Sequence, residues 1–426
     1  MRLRSSWLLI LTIPALWAQQ SPRSLTLAEA RQLAIRNNPR ISAARNTAKA
    51  SHQVPLEFRA GLGPSLSGAA TGVGADSGSR LAAGGLNNPT VYSRIAAGVA
   101  ASQLITDFGR TRGLAASADL TAQAQDQLAE ASQANILLAT VRAYFGLLRA
   151  NAILKVAEST VTARRLVSDQ VTALFNSKLK SQLDVSFANV NLADAQLLVS
   201  QARNNVKAGE AALANALGLP AESSFSLAEE AVPEPLPDDP DPLVRQALQD
   251  RPEIRDLRLE QSAAQRFASA EHALNYPTIS AAGMTGIVPA GEVAVPGRYG
   301  AAGINVNIPI FNGGLYRARQ TEAELKARAA SDRLNDLANR ITLDVRVAYL
   351  NAKTAFERIG LTEQLLAQAR LSLDLAQGRY DLGLGSIVEL SQAQLNLTSA
   401  QLADTAAHYD FQALSEVVNY EVGAMR

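Results

Sequence analysis

The chain has 426 residues and a formal net charge of +1, from 40 Lys and Arg against 39 Asp and Glu, so it lacks the basic footprint of a nucleic-acid-binding protein. It has no cysteine, which excludes disulfide frameworks, thiolate metal sites, iron–sulfur clusters and cysteine nucleophiles. Aromatic residues make up only 5% of the chain, a composition that favours long helices packed through small side chains over a thick aromatic core.

The N-terminus is typical of a secretory signal peptide. Arg2 and Arg4 precede an apolar run of about 12 residues, which is too short to cross a bilayer. We expect cleavage near Ala18, which removes residues 1–18 and changes the net charge from +1 to −1. No later stretch approaches the roughly 18 consecutive apolar residues of a membrane helix, so any membrane-spanning segment would be a strand.

Two short helices and a strand pair follow. Thr26 is the predicted N-cap of the first helix, with Glu29 as its capping-box partner, and the second helix begins after Pro39. At about 62–107 the sequence becomes rich in glycine, alanine and serine and loses its helical periodicity. With turn signals at 84–89, this segment predicts two strands.

A long helical hairpin is predicted at 109–217, completing a first repeat at 19–218. Asp107 is a candidate cap, and no proline interrupts the segment 109–175, which is long enough for about 100 Å of helix. The helix breaks near 176–177. The returning helix then carries a coiled-coil seam, formed by Val185, Ala188, Leu192 and Ala195.

The second half of the chain repeats this order after a stiff, acidic, proline-rich linker at 219–242, the expected equatorial region. The second repeat, 243–426, has short helices, a strand pair at about 276–312 and a hairpin at 313–423, with Asn312 as a candidate cap. The strand pattern is clearer here, because apolar residues alternate with polar ones at Ile304, Val306, Ile308 and Ile310.

Self-comparison supports an internal two-fold repeat. Segment 37–41 matches 250–254 at a spacing of 213 residues. Beyond the strands the spacing becomes 205 residues, which relates Tyr144 to Tyr349 and Gly218 to Gly423. One constant spacing over more than a hundred residues is hard to obtain by chance.

Four amphipathic strands are too few to close a barrel, and a lipid-exposed sheet cannot leave its edges open. Three copies would supply 12 strands, enough to enclose a lumen. The predicted fold is therefore an α+β membrane protein: a homotrimeric 12-stranded outer-membrane β-barrel with four strands per chain, continued by a long antiparallel α-helical coiled-coil tunnel. Such an assembly would act as a conduit.

The chain resembles the TolC-like outer-membrane efflux proteins over nearly its whole processed length. The resemblance is carried by four motifs in their order: Leu25-Thr-Leu-Ala-Glu-Ala30, Tyr276-Pro-Thr-Ile-Ser280, Ile310-Phe-Asn-Gly-Gly314 and Tyr380-Asp-Leu-Gly-Leu-Gly-Ser-Ile-Val-Glu389. It implies a homotrimeric channel in the outer membrane, with its helical part in the periplasm. It also implies docking to an inner-membrane pump through a periplasmic adaptor, and passage of small molecules, ions or proteins.

The resemblance further implies a gate at the periplasmic hairpin tips. Glu389 matches the outer of two acidic rings at the tunnel constriction, and Gln392 matches the inner one, here neutral. Asp184 and Tyr380 match residues that hold the tunnel closed. Gly385 occupies the place of the expected basic partner, so we consider three substitutes: Lys178, Lys180 and Arg379.

Glu389, Asp184 and Tyr380 could each have a structural role instead of a role in the gate. Glu389 is interpreted as facing the pore, where a ring of acids raises the local cation concentration, and Asp184 as helping to hold the tunnel closed. The alternative for both is that they stabilise the first turn of a helix, and the two roles are compatible. Tyr380 is either a gating contact or an aromatic plug at the hairpin tip.

Two other functions compete with the channel. In a periplasmic coiled-coil scaffold or adaptor, the glycine-rich segments would be loops or a soluble sheet; in a channel, 304–310 should face lipid. An enzyme ranks third, because no catalytic motif appears. The histidines His52, His272 and His408 are far apart without metal-ligand spacing, so we expect no metal site and no cofactor.

Overall fold

The computed structural model describes residues 24–79 and 90–425. The predicted signal peptide and the turn signals at 84–89 lie outside these residues.

Three short helices open the described chain: α1 (Leu27–Asn37), α2 (Pro39–Ser51) and α3 (Val54–Ala60). The predicted capping box is confirmed, because the amide of Glu29 donates to the Thr26 hydroxyl at 3.2 Å and the Thr26 amide donates to the Glu29 carboxylate at 3.0 Å. Asn38 caps α2, whose first residue is a proline that needs no hydrogen-bond acceptor there. Helix α3 lies in a segment for which the sequence predicts no separate element.

The strands form one antiparallel sheet in chain order: β1 (Pro64–Val73), β2 (Arg94–Thr106), β3 (Thr278–Gly291) and β4 (Arg298–Asn307). The two strand pairs are therefore confirmed, and they join through β2 and β3. The alternation that predicts a strand as far as Ile310 extends beyond β4. Pro309 has no N–H with which to continue the ladder, and the strand ends two residues before it.

The register divides the sheet into two unlike faces. One face carries most of the large apolar side chains, including Leu66, Ile95, Val99, Ile279, Ile287, Ile304 and Val306. The opposite face carries mainly small and polar side chains, with Met284 and Tyr299 as larger members; its polar residues are Ser65, Ser67, Thr71, Ser102, Ser280 and Asn305. Within the described chain, the outer edges of β1 and β4 pair with no further strand.

The first long hairpin consists of α4 (Arg110–Asn176) and α5 (Gln182–Leu217). The linker leads into α6 (Asp241–Asp250) and α7 (Pro252–His272), and a 3₁₀ turn at Ala273–Asn275 precedes β3. The second hairpin consists of α8 (Leu315–Asp381) and α9 (Ile387–Glu421). Helices α4 and α8 have 67 residues each, about 100 Å of helix, and both begin and end at positions 205 apart.

Helix α4 contains a stretch that is long and apolar enough to cross a membrane, but 56% of that stretch is buried inside the protein. This burial is typical of a core helix.

The strand-to-helix turns differ from the predicted caps. The N-cap residues are Gly109 and Gly314, both in the left-handed region with φ of 94° and 82°. Asp107 nevertheless caps α4 from two residues upstream, because its carboxylate accepts from the amide of Thr111 at 2.7 Å. Asn312 does the same for α8, where its side-chain oxygen accepts from the Tyr316 amide at 3.5 Å. Phe108 also has a positive φ, 56°, a conformation that costs a bulky residue energy.

The largest core cluster surrounds Tyr144, which is fully buried. Its hydroxyl lies 2.9 Å from the Leu25 carbonyl oxygen and 2.8 Å from that of Ala228, in the linker. Tyr349 donates in the same way to the carbonyl oxygen of Asp238, also at 2.8 Å. One tyrosine on α4 and one on α8 therefore hold the linker through hydrogen bonds to its backbone.

Candidate functional site

Each hairpin tip is a five-residue turn between long helices, 177–181 in the first hairpin and 382–386 in the second. Both turns need a residue in the left-handed region. The second uses Gly383, with φ of 75°, whereas the first uses Lys178, with φ of 63°. The first tip therefore accepts backbone strain that the second avoids.

Asp184 belongs to the local structure of the first tip. Its carboxylate accepts from the Ser181 amide at 2.8 Å, and its own amide donates to the Ser181 hydroxyl at 3.2 Å, forming a capping box on α5. Partial burial opposes ionisation, but hydrogen bonds from Ser181 and the nearby Lys180 cation outweigh it and hold the pKa of Asp184 below its ordinary value. Asp184 is therefore ionised at neutral pH.

Glu389 has a corresponding backbone position in the second tip, where its amide donates to the Ser386 hydroxyl at 3.1 Å. Its carboxylate remains available for a charged partner and lies 3.0 Å from Nε of Arg379. Both side chains are about half exposed, at 56% for Arg379 and 42% for Glu389. Of the three substitute cations considered from the sequence, Arg379 is the one paired with Glu389.

Gly385 explains how Arg379 comes so close to the turn. A methyl group on Gly385 would lie 3.2 Å from Cβ of Arg379 and 3.2 Å from the amide nitrogen of Tyr380. The Gly385 amide also donates to the Arg379 carbonyl oxygen at 2.9 Å. Glycine therefore lets the turn fold tightly against the end of α8.

Tyr380 lies at the junction of the two tips. It is only 3% exposed, in a small apolar cluster formed with Val171, Val185, Ala188, Ile387 and Leu390. The ammonium of Lys180 lies 3.8 Å from the ring centroid, within the range of a cation–π interaction. Burial, together with the charges of Asp184 and Asp381, raises the pKa of Tyr380, so its hydroxyl stays neutral.

Four of the five predicted residues thus fall into two groups, and Gly385 stands apart from both. Asp184 and Tyr380 lie near Lys180, where the first tip meets the second. Glu389 and Gln392 line a groove between α8 and α9, together with Arg379 and Asn396. Gly385 has a structural role in the turn next to that groove.

A buried polar layer above the tips was not predicted. It consists of Arg164, which is 5% exposed, the Ser168–Asn189 hydrogen bond at 2.8 Å and the Asn191–Ser391 hydrogen bond at 2.8 Å. Burial lowers the pKa of Arg164 to about 10, although Asp194 partly offsets the effect. Comparison of the two copies could have revealed this layer. The 205-residue spacing aligns Arg164 with Ala369, a buried apolar residue, so an arginine occupies a position that is apolar in the second copy.

The chain matches a protein-family model described as outer membrane efflux protein, over residues 30–219 and 243–416. Outer membrane protein TolC of Salmonella enteritidis is 24% identical over 412 residues, covering 94% of this chain and 82% of that protein. Outer membrane efflux protein BepC of Brucella suis is 24% identical, covering 77% of this chain and 72% of that protein.

Solved structures share the fold. The outer-membrane channel OprN superposes with a TM-score of 0.81 at 20% identity, covering 93% of this chain and 89% of that chain. VceC of Vibrio cholerae, an outer membrane protein, superposes with a TM-score of 0.78 at 19% identity, covering 93% of this chain and 96% of that one.

Proposed function

Because this chain is a member of the outer membrane efflux protein family, we propose that it forms a homotrimeric exit duct through the outer membrane. The observation that carries the proposal is the four-stranded sheet, whose two edges have no partner strand among the described residues. In lipid, an unpaired edge leaves backbone donors and acceptors without hydrogen bonds, at a cost of several kcal/mol for each group. Three chains joined edge to edge make a closed barrel of 12 strands.

The two faces of the sheet suit such a barrel. The apolar face, with Ile304 at 71% and Leu66 at 75% exposure, would face lipid, while the serine- and asparagine-bearing face would line a wet lumen. Tyr299 lies on the lumen side near the turn between β3 and β4. Its ring covers Gly98 and Gly286, the two residues beside it across the sheet.

Aromatic residues mark the other end of the strands. Phe108 and Tyr276 pair at a ring-centroid distance of 5.5 Å, and Phe311 is 90% exposed. Exposed aromatic rings are typical of the membrane–water interface of outer-membrane barrels. We infer that this level is the periplasmic boundary of the membrane, with the long helices extending from it into the periplasm.

The hairpin tips would form the gate. We assign Lys180, Tyr380 and Asp184 to the contact that holds the two tips of one chain together. Glu389 would form a ring of three acids in the trimer, each restrained by its Arg379, and Gln392 would form a neutral ring. Opening requires the tips to separate, which breaks the cation–π contact.

The remaining assignments follow from this duct. Residues 1–18 would be removed on export, and the copies at 19–218 and 243–426, joined by 219–242, would each give two strands and one hairpin. A periplasmic adaptor and an inner-membrane pump would dock at the tips. Small molecules, ions or proteins would pass through without chemical change, so the chain would not be an enzyme.

Assembly and conduction of the processed protein test the proposal. We expect purification from outer membranes in detergent to give a trimer by native mass spectrometry, and planar bilayers containing it to show discrete conductance steps. A water-soluble monomer would instead support the scaffold or adaptor, and a trimer that never conducts would contradict the duct.

A further inference from the structure

A groove with a volume of about 590 Å³ lies between α3, α4 and α7, where the sheet meets the helices. Three cations and two leucines are among its lining residues, together with a single acid: Arg59, Arg112, Arg266, Leu62, Leu120 and Asp119. It therefore combines a basic rim with an apolar wall.

Two of the three arginines form no ion pair within the described chain. Arg59 lies 3.5 Å from Asp119, a partly exposed pair of little energetic value. Arg112 and Arg266 are both exposed, and neither forms an ion pair with an acid within the described chain. The groove thus keeps a net positive charge and free guanidinium donors.

The groove lies at a defined depth. Leu62 is two residues before β1, and Arg112 is in the first turn of α4, four residues after Phe108 of the aromatic pair. This placement rests on the proposed barrel, in which the aromatic pair marks the periplasmic boundary of the membrane. The groove would then lie level with the lipid headgroups of the inner leaflet.

We propose that this groove binds the headgroup of an anionic phospholipid. Guanidinium groups recognise phosphate oxygens through paired hydrogen bonds, and basic pockets at a membrane boundary suit anionic headgroups. Leu62 and Leu120 offer an apolar surface to the glycerol and the first acyl carbons, which a free phosphate ion does not have.

The repeat supplies a matched control. The spacing of 205 residues relates Arg112 to Arg317, which is also exposed and also in the first turns of its helix. The second copy has only part of the groove. Spacings of 213 and 205 residues relate Arg59 and Asp119 to His272 and Glu324, which pair with each other at 3.1 Å, as the first two residues do at 3.5 Å. The spacing of 213 residues also relates Leu62 to Asn275, so the second copy lacks one guanidinium group and one leucine of the groove. Arg317→Gln removes the same charge at the same depth without touching the groove.

Native mass spectrometry of the detergent-solubilised full-length trimer tests the inference. Phosphatidylglycerol and phosphatidylethanolamine are added separately to the wild type, to the double variant R112Q/R266Q and to R317Q. We expect the wild type and R317Q to retain phosphatidylglycerol over phosphatidylethanolamine, and the double variant to retain about tenfold less phosphatidylglycerol, the effect of losing ~1.4 kcal/mol of binding.

Three results would overturn the site. These are equal retention of both lipids by the wild type, an equal loss in R317Q, and displacement of the lipid by millimolar inorganic phosphate, which would identify a site for a free anion. Conductance of the same preparations separates this failure from that of the duct: conducting trimers without lipid preference reject the groove alone, whereas a soluble monomer rejects both.

Discussion

Lys180 covers the ring of Tyr380 at 3.8 Å, so a cation from the first hairpin tip closes over an aromatic residue of the second. The Tyr380 hydroxyl has no hydrogen-bond partner within the described chain, so the electrostatic interaction of this side chain with Lys180 is made by the face of its ring. The contact therefore depends on the charge of Lys180 and on the ring.

We predict that Lys180→Gln increases the basal conductance of the proposed channel in planar bilayers, because it removes a cation–π contact of about 1 kcal/mol between the tips. Tyr380→Phe is the matched control, since it keeps the ring and deletes only the unpartnered hydroxyl. Unchanged conductance in Lys180→Gln, or an equal increase in Tyr380→Phe, would remove this contact from the gate.

Ion selectivity should change in opposite directions when the Arg379–Glu389 pair is broken from either side. Glu389→Gln should lessen cation preference by removing the carboxylates of the proposed ring, whereas Arg379→Gln should increase it by removing the compensating cations. Reversal potentials across a salt gradient measure both effects. If neither variant shifts the reversal potential, Glu389 does not face the pore.

Stability should depend on pH through Asp256, a residue of α7 that is 5% exposed. Burial, followed by the charges of Glu260 and Glu253, raises the pKa of Asp256 to about 7. Because this value exceeds that of an unfolded Asp, about 3.9, the native state holds the proton more tightly, and stability falls as pH rises from about 4 through 7.

Asp256→Asn should therefore stabilise the protein at pH 8, by on the order of 4 kcal/mol per chain, and leave its stability at pH 4 nearly unchanged. Thermal unfolding of the protein at both pH values measures the difference. Asp336→Asn, which alters an acid that is 60% exposed, is the control. A gain of equal size at both pH values would contradict the proposed titration.

The strain at Lys178 predicts that Lys178→Gly raises the thermal unfolding temperature. The left-handed conformation costs a non-glycine residue about 1 kcal/mol, and the first tip would then have the same residue type as the second. Gly383→Lys, the reciprocal change, should lower the unfolding temperature by a similar amount. The idea fails if both variants unfold at the wild-type temperature.

Removing the tyrosine hydroxyls should loosen the linker unequally. Tyr144→Phe leaves two carbonyl groups without their shared donor, and Tyr349→Phe leaves one. We expect losses of about 2 and 1 kcal/mol, respectively, measured as free energies of unfolding in urea. Limited proteolysis at 219–240 should accelerate in the same order, and the reverse order would contradict this assignment.

Much of the fold follows from sequence patterns with a direct physical cause. The 205-residue spacing and the absence of proline predict both 67-residue helices to within a few residues. The strand pairs follow from the loss of helical periodicity. Local capping can be predicted equally well from the sequence. Each of Thr26 and Glu29 accepts a hydrogen bond from the other's backbone amide through its side chain, so the capping box needs no other part of the chain.

Other features depend on distances that only tertiary packing sets. No local sequence pattern predicts that Phe108 or Lys178 lies in the left-handed region. The second copy does indicate it, because Gly313 and Gly383 occupy the related positions there. At the tips, the sequence proposes three cations without assigning partners. The structure pairs Arg379 with Glu389 and places Lys180 on Tyr380, a contact between segments 200 residues apart.

The equal length of α4 and α8 would determine how a docking partner meets the proposed trimer. Both helices start at the same edge of the sheet and extend 67 residues, so their turns reach a common depth. Three chains would then present a rim with near-hexagonal symmetry, in which two chemically different turns alternate. A docking ring of six identical subunits could occupy every turn, but it would do so with two affinities, and half-filled complexes with three subunits would be the natural intermediates of assembly.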